Sequence, residues 1–302
     1  MDRFTLRQLR YFDALARQGH FGRAADVSAI SQPALSLQIS ALEDAFGTPL
    51  FERGSRAVRL TGFGEEIAER IRGILRAADE LSEVVRAAEA GAVGRLRLGI
   101  IPTIAPYLLP DILARLGDEF PSLDVHVRET ITDRLIADLH DGKLDAAIVA
   151  LPVSETALTE VALFEEKLLL VRAQKDAKAP VPDAETLAEM RLLLLEEGHC
   201  FRDQALSFCS IGAKRDGLDG SSLSTLVQMA AAGLGVTFIP EMARKVETRS
   251  TPVAIADLGP LGPKRTVGMV WRNSSPMAAQ LNDIAKVVRR AACDTGLVSG
   301  DE

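Results

Sequence analysis

The sequence is poor in cysteine, with only Cys200, Cys209 and Cys293 in 302 residues. Three cysteines do not make the disulfide framework of a small secreted domain. The chain also lacks an apolar run long enough to span a bilayer. Its opening stretch, MDRFTLRQLRYFDALARQG, lacks the apolar core of a signal peptide. We therefore expect a cytoplasmic protein with no membrane association, in which each cysteine is buried, metal-binding, catalytic or redox-sensing.

A net positive charge is also missing, because the whole chain carries −7. A protein that binds nucleic acid over its entire surface is basic, so any DNA contact must be local. Residues 1–60 carry eight arginines against six acidic residues, and the first lysine is Lys143. Arginine suits bidentate recognition of phosphates and bases. Arginine nevertheless outnumbers lysine along the whole chain, so a compositional bias explains the excess more simply.

The first sixty residues predict three short helices. Thr5 is placed to cap the first helix, Gly19 to end it, and GRAADVS predicts the second. The third, SQPALSLQISALEDAFG, begins at a Ser31 cap and has Pro33 in its first turn. Its apolar stripe consists of Leu35, Ile39, Leu42 and Phe46.

The opposite face of this third helix is polar without being charged. It carries Gln32, Ser36 and Ser40, whose small polar groups suit contact with base edges. Next, PLFERGSRAVRLT predicts a hairpin wing that reaches phosphates or the minor groove. The wing candidates for such contacts are Arg53, Ser55 and Arg56. Residues 1–60 therefore predict an all-α winged helix-turn-helix domain, the alternative being a small helical domain with an incidental basic hairpin.

A long stretch of this domain, HFGRAADVSAISQPALSLQISALEDAFGTPLFER, resembles the DNA-binding domain of LysR-type transcriptional regulators. The resemblance implies a non-enzymatic regulator that binds double-stranded DNA at a two-fold operator, with RNA polymerase as a further candidate partner. The candidate DNA contacts are Ser31, Gln32, Pro33, Ser36, Arg53, Ser55 and Arg56. The sequence departs from many relatives at Leu37, where they have arginine. Leucine can touch a thymine methyl group but cannot make a bidentate guanine contact.

Residues 61–91 predict one long linker helix with an a/d seam. Its apolar positions are spaced alternately by four and three residues: Ile67, Ile71, Ile74, Ala78, Leu81, Val85 and Ala88. Such a seam favours pairing with a second copy, although a monomeric surface helix tolerates the same pattern. A homodimer supplies the two DNA-reading heads that a two-fold operator needs. The resemblance further implies a homotetramer on DNA.

Beyond the linker, residues 92–302 predict an α/β effector domain, because strand-like and helical runs alternate; we expect mainly parallel strands. The chain crosses once near Leu163–Lys167 and again near Arg265–Val270, which indicates two lobes with a cleft between them. We place lobe I at about 92–164 and 268–302, and lobe II at about 165–267. SLSTLVQMAAAGLGVTFIP resembles the LysR-type effector-domain signature, which implies a fold of the periplasmic-binding-protein type with a ligand cleft.

Two threonines are candidates for this cleft. Thr103 sits where the first strand turns into a helix, and a hydroxyl at a helix start binds polar or anionic ligands. A plain N-cap is the equally simple alternative. Thr132 is expected at the end of the second strand, facing the same cleft.

The stretch EEGHCFRDQALSFC raises the question of what its two cysteines do. A buried small hydrophobe is the default for cysteine and fits Cys293, but Cys200 has polar neighbours. Zinc sites need about four ligands at close spacing, whereas this stretch offers the adjacent His199 and Cys200. A thioredoxin-like site needs CxxC, which the sequence lacks. A redox role remains. The start of a helix, Arg202 and a protonated His199 are expected to favour the reactive thiolate, whereas Asp203 opposes it.

The same stretch, together with IIPTIAPYLLP, DGKLDAAIVAL and KRTVGMVWR, resembles the peroxide-sensing branch of the LysR-type family. The resemblance implies hydrogen peroxide as the signal, no cofactor or metal, Cys200 as the peroxidatic cysteine and Cys209 as the resolving one. The pocket residues become Thr103, Thr132, His199, Arg202, Asp203 and Arg265. Two alternatives stay open: a LysR-type regulator that binds a small organic effector in its cleft, and a thiol peroxidase with a DNA-binding head.

Overall fold

A computed structural model describes residues 4–53, 58–89, 94–208, 219–260 and 262–294. The chain divides into two compact units, Met1–Val85 and Arg86–Glu302. Within the described residues, none of the helices combines the length and the apolar character that crossing a bilayer requires.

The first unit, the head, consists of short helices, a hairpin and a long last helix. Its elements are α1 (Leu6–Gln18), α2 (Phe21–Val27), α3 (Gln32–Phe46), β1 (Phe51–Arg53), β2 (Val58–Leu60) and α4 (Gly62–Glu89). Thr5 caps α1 and Ser31 caps α3, each through its side-chain oxygen. Gly19 and Gly47 follow these helices in the left-handed conformation that glycine adopts without strain. The predicted winged helix-turn-helix is confirmed.

The core of the head includes the stripe of α3 and the first turns of α4. Its buried residues from these two helices are Leu35, Ile39, Leu42, Ala68, Ile71 and Leu75. Ile71 is thus already covered by its own head, so it does not face a second copy. The part of the predicted seam that stays exposed in the single chain includes Ile74, at 45%, and Leu81, at 66%. Pairing through these later positions stays a prediction.

The second unit, the effector domain, alternates strands with helices. Lobe I contains β3 (Arg95–Ile100), α5 (Ala105–Glu119), β4 (Asp124–Glu129), α6 (Thr132–His140) and β5 (Ala146–Leu151). The chain crosses through β6 (Leu158–Ala173) into lobe II, which contains α7 (Ala184–Glu189), β7 (Leu194–Leu195), α8 (Cys200–Phe208), β8 (Asp219–Gly220), α9 (Leu223–Ala231), β9 (Thr237–Pro240), α10 (Arg244–Glu247) and β10 (Val253–Ala256). It returns through β11 (Lys264–Arg272) to the last helix, α11 (Ala278–Asp294).

The main sheet has the strand order β10-β6-β11-β5-β3-β4, and β9 also pairs with β6. β3 is parallel to both β4 and β5. β6 is antiparallel to β9, β10 and β11, and β11 is antiparallel to β5. The prediction of mainly parallel strands is therefore wrong for the crossing strands. β6 leaves lobe I and β11 returns to it, so the two must run in opposite directions when they pair.

Two apolar cores lie on either side of this crossing. The first, in lobe I, includes Phe164 of β6 and Val267 of β11, and the second, in lobe II, begins along β6 at Leu168. Between them, Glu166 and Arg265 lie directly opposite each other in the register of the two strands. The two-lobed fold is confirmed, and the residue bounds given above for the lobes stay predictions.

Candidate functional site

The chain bends sharply at Gly198, just before α8. The φ of this residue is 91°, and a Cβ there would lie 2.8 Å from the Ile131 side chain, so glycine meets both demands. Cys200 follows as the first residue of α8, half-buried, and packs against the first core. The rest of α8 belongs to the second core through Phe201 and Ala205. The cysteine therefore lies where the two lobes meet.

A cavity of about 490 Å³ is shared by the two lobes. Its walls include Thr103, Tyr107 and Glu129 from lobe I, and His199, Ser222 and Glu247 from lobe II. Thr103 and His199, two of the predicted pocket residues, are thus brought to one cavity. Polar groups from both lobes converge there, as in sites for small polar molecules.

Arg265 is buried at one side of this arrangement, with its guanidinium held by several partners. Nε donates to Glu166 Oε1 at 2.7 Å. Nη1 donates to Thr103 Oγ1 at 2.7 Å, and Nη2 donates to the Thr103 carbonyl at 3.0 Å. The centre of the Phe201 ring lies 5.6 Å from Cζ, within the range of a cation–π contact. Arg265 therefore joins Thr103 to the residue that follows Cys200.

The two predicted threonines differ in what their hydroxyls bond. Thr103 is not the plain N-cap, because Ile104 occupies that position of α5 and no side chain caps the helix. Thr132 does not end the second strand but begins α6. Its Oγ1 is buried with no hydrogen-bond partner in the part of the chain that the structure describes. Because buried hydroxyls are normally bonded, Thr132 keeps the capacity to bind a polar ligand.

The charge expected at His199 differs from prediction. Burial lowers the pKa of His199 below its ordinary value, and the negative charge of Glu196 opposes this only in part. Burial therefore favours the neutral imidazole at neutral pH, opposite to the expected protonated form, and the role of His199 stays a prediction.

The expected influence of Arg202 and Asp203, the two charged residues of α8, on the thiol stays a prediction. Arg202 Nη1 donates to the Leu195 carbonyl and to Asp219 Oδ1, each at 2.8 Å, so this cation pairs with an acid on β8. Asp203 is exposed in the first turn of α8. Cys209 lies outside the described residues, and Cys293 is half-buried on α11.

A hydrogen-bonded bridge across the cavity is absent from the sequence-based predictions. The Tyr107 hydroxyl of lobe I donates to Glu247 Oε1 of lobe II at 2.6 Å, and Ser224 Oγ donates to Glu247 Oε2 at 2.6 Å. Burial, and after it the hydrogen bond to Glu247 and the charge of that residue, raises the pKa of Tyr107. Glu166 is also missing from the predictions, although an acid inside the apolar run LFEEKLLLVR signals a buried partner.

The predicted DNA-reading face lies on α3. Gln32 and Pro33 are exposed and Ser36 is half-buried, while Leu37 is 70% exposed. The hydroxyl of Ser31 accepts the amide of Ala34, which is its capping bond. Arg53 ends β1, and its side chain, with Ser55 and Arg56, lies outside the described residues. The DNA contacts of all these residues stay predictions.

The winged head and two-lobed effector domain define a class of bacterial DNA-binding regulators. The family model described as "Bacterial regulatory helix-turn-helix protein, lysR family" matches residues 6–65, and the one described as "LysR substrate binding domain" matches residues 89–293. The chain belongs to the LysR family, whose members are transcription regulators and not enzymes.

Within that family, the chain is similar to OxyR proteins. It is 41% identical to the "DNA-binding transcriptional dual regulator OxyR" of Escherichia coli (strain K12), over 94% of this chain and 95% of the relative. A "Probable hydrogen peroxide-inducible genes activator" of Streptomyces viridosporus is 40% identical, over 96% and 95% of the two chains.

Solved structures give the same similarity. A full-length OxyR variant from Pseudomonas aeruginosa superposes with a TM-score of 0.73 at 35% identity, covering 96% of each chain. A hydrogen-peroxide-bound OxyR mutant from Corynebacterium glutamicum gives a TM-score of 0.64 at 35% identity, covering 99% of this chain and 98% of the other.

Proposed function

We propose that this chain is a DNA-binding transcription regulator that senses hydrogen peroxide through oxidation of Cys200. The observation that carries the proposal is the position of Cys200 at the start of α8, between the lobes, with its neighbour His199 lining a cavity shared with Thr103. The names of the relatives, which include a probable hydrogen peroxide-inducible genes activator, support the same signal.

The first step is a two-electron oxidation of the Cys200 sulfur. The thiolate attacks one peroxide oxygen, an S–O bond forms as the O–O bond breaks, and the leaving hydroxide takes up a proton to become water. The positive end of the α8 dipole stabilises the thiolate. A neutral His199 is suited to accept the thiol proton. The hydroxyls of Thr103 and Thr132 are the candidates to hydrogen-bond the peroxide.

In the second step the Cys209 thiol attacks the sulfenic acid, giving a disulfide and a second water. The bounds of α8 support a rearrangement at this point. Cys200 and Phe208 are eight positions apart on the helix, which separates their Cα atoms by about 12 Å along the axis. The next Cα is within about 3.8 Å of the latter, whereas a disulfide needs Cα atoms within about 6.8 Å. Bond formation therefore requires α8 to lose part of its helix.

We further infer that α4 pairs two copies, so that two heads bind one operator. The exposed apolar residues Ile74 and Leu81 support this pairing, because a solvated face carries polar groups at such positions. A rearrangement of α8 at a contact between two effector domains would then change the spacing of the heads. In a homotetramer, such a change would alter the spacing of both pairs of heads.

Mass spectrometry before and after brief exposure to micromolar hydrogen peroxide tests the proposed function. We expect Cys200 to gain one oxygen atom in a Cys209→Ser variant, and the unmodified protein to lose two hydrogens as the disulfide forms. Cys293→Ser is the matched control, expected to react as the unmodified protein does. If peptides containing Cys200 keep their mass while Cys293 is oxidised, the proposal is wrong.

The cavity gives one observation in favour of a second function, an organic effector as the signal. Its volume of about 490 Å³ is that of a small-molecule site. Under this alternative, regulation by an organic ligand survives in Cys200→Ser. A thiol peroxidase differs from both, because it consumes excess peroxide when a reductant is supplied, whereas a sensor is oxidised once.

A further inference from the structure

Arg265 of β11, which contacts the first turn of α8, forms a buried ion pair with Glu166 of β6. The side chains of Arg265 and Glu166 are both 0% exposed, and Nη2 lies 2.6 Å from Glu166 Oε1. Glu166 Oε2 also accepts the backbone amide of Met242 at 3.3 Å. The neighbouring acid, Glu165, lies on the exposed face of the same strand. Of the two adjacent glutamates, Glu166 therefore pairs with the buried Arg265, whereas Glu165 is exposed.

The geometry of the guanidinium then determines what Thr103 can do. Glu166 accepts from Nε and from one N–H of Nη2, which directs one N–H of Nη1 toward the Thr103 hydroxyl and the second N–H of Nη2 toward the Thr103 carbonyl. A threonine hydroxyl has one hydrogen to donate and two lone pairs. Because Nη1 donates to its oxygen, the hydrogen of the Thr103 hydroxyl is left to donate elsewhere, and Thr103 lines the cavity.

The same guanidinium supports the first turn of α8. Phe201 covers Arg265 at 5.6 Å and is itself buried. If Glu166 no longer held the guanidinium, the buried charge of Arg265 would lose its counter-charge and would reorient toward the cavity. Both Thr103 and the turn that begins with Cys200 would then lose their support.

We propose that Glu166 is a positioning residue for the peroxide reaction: it fixes the Arg265 guanidinium so that Thr103 donates into the cavity and Phe201 seats the first turn of α8. The inference rests on the proposed function. Glu166 touches neither peroxide nor sulfur, and it acts only through Arg265.

The test compares two reactions of the same thiol in Glu166→Gln. One is oxidation of Cys200 by hydrogen peroxide, and the other is its alkylation by iodoacetamide, both in a Cys209→Ser, Cys293→Ser background. The thiolate fraction scales both rates, so their ratio reports how peroxide is held and not how acidic the thiol is. We expect the ratio of peroxide to iodoacetamide rates to fall by about tenfold or more. The matched control, Glu165→Gln, makes the same chemical change one residue away and is expected to leave the ratio unchanged.

A merely structural role gives a different result. If Glu166→Gln only loosened the fold, Cys200 would become more accessible and alkylation would rise, so the ratio would fall without any loss of the peroxide rate. The positioning role instead requires the peroxide rate to fall while the iodoacetamide rate stays unchanged. If that variant does not fold, Glu166→Asp keeps the charge, shortens the reach by one methylene and is expected to lower the ratio less. A ratio unchanged in the glutamine variant, or in the aspartate variant if that is the one that folds, while Glu165→Gln reacts normally, overturns the positioning role and leaves peroxide sensing intact. If Cys200 of the background protein does not react with peroxide, the proposed function itself fails and the role of Glu166 with it.

Discussion

The helix that carries the predicted DNA contacts, α3, and the helix that carries the proposed sensor cysteine, α8, are held in different ways. α3 has 15 residues, is capped by Ser31, is followed by Gly47 as its C-cap and buries three large apolar side chains. α8 has nine residues and buries only Phe201 and Ala205. A surface that reads DNA must keep one geometry, whereas a helix that takes part in a redox switch must be able to leave its position.

The supports of these helices differ in the same sense. α3 belongs to a core that it shares with α1, α2 and the first turns of α4. α8 follows β7 and precedes β8, which are strands of only two residues each. Segments with few buried apolar contacts open at low free-energy cost. We infer that the contrast between a fixed helix and a releasable helix is built into the lengths and cores of these elements.

The largest expected effect comes from Cys200→Ser, which removes the proposed sensor thiol and leaves α8 in place. Cys200→Ser is expected to abolish the transcriptional response to peroxide, because serine forms no sulfenic acid, while DNA binding in the reduced state is retained. A reporter gene under the cognate promoter, followed with and without peroxide, measures the effect. Cys293→Ser is the control and should respond normally. A peroxide response that persists in Cys200→Ser would contradict the assignment of the sensor.

The next effect compares the two helices directly by hydrogen exchange. In the reduced protein, amides of α8 are expected to exchange about 100-fold faster than those at the centre of α3, because fewer buried groups hold them. Oxidation should change exchange in α8 and leave α3 unaltered. Cys209→Ser should lose that change while still forming the sulfenic acid. Identical exchange of α8 in the reduced and oxidised states would exclude the unwinding step.

The same contrast explains which features the sequence predicts. The caps and stripe of α3 depend on residues within one or two turns of each other, so a short pattern reveals them. The site depends on distant partners: Arg265 and Glu166 are 99 residues apart, Arg265 and Thr103 are 162 apart, and Tyr107 and Glu247 are 140 apart. No local pattern specifies such pairs. The resemblance to the family identifies Thr103 and Arg265 as pocket residues. The partners that orient them are visible only once the fold brings distant parts of the chain together.

A smaller effect tests whether the fixed helix reads bases. Gln32→Ala is expected to weaken specific DNA binding by about 1–3 kcal/mol and to leave non-specific binding nearly unchanged. The matched control is Gln38→Ala, since Gln38 is exposed on the same helix but lies outside the predicted contacts. Titrations of a specific and a scrambled duplex at two salt concentrations give both values. Equal losses for the two variants would show that Gln32 is not a base contact.

The smallest effect concerns the hydrogen bond between Tyr107 of lobe I and Glu247 of lobe II, which links the two lobes. Tyr107→Phe removes the hydrogen bond to Glu247 and is expected to lower the free energy of unfolding of the effector domain by about 1 kcal/mol at neutral pH. The single tryptophan, Trp271, is buried in this domain, so its fluorescence reports this unfolding.

The pH dependence of this effect follows from the raised pKa of Tyr107. In the unfolded chain tyrosine ionises near pH 10, whereas burial and Glu247 keep the folded residue protonated to higher pH. The stabilisation is therefore fully present below about pH 10 and is lost as the pH rises further, because only the unfolded state releases its proton. We expect the stability advantage of the unmodified protein over Tyr107→Phe to shrink in this alkaline range.

Tyr11→Phe, which changes the other tyrosine of the chain, is the control and should leave the Trp271 transition unaltered at every pH. Parallel stability curves for the unmodified protein and Tyr107→Phe above pH 10 would mean that the bridge does not hold Tyr107 in its neutral form. The lobes would then be held together by their apolar cores and by the contacts of Arg265 with Thr103 and Phe201, without a contribution from a neutral Tyr107.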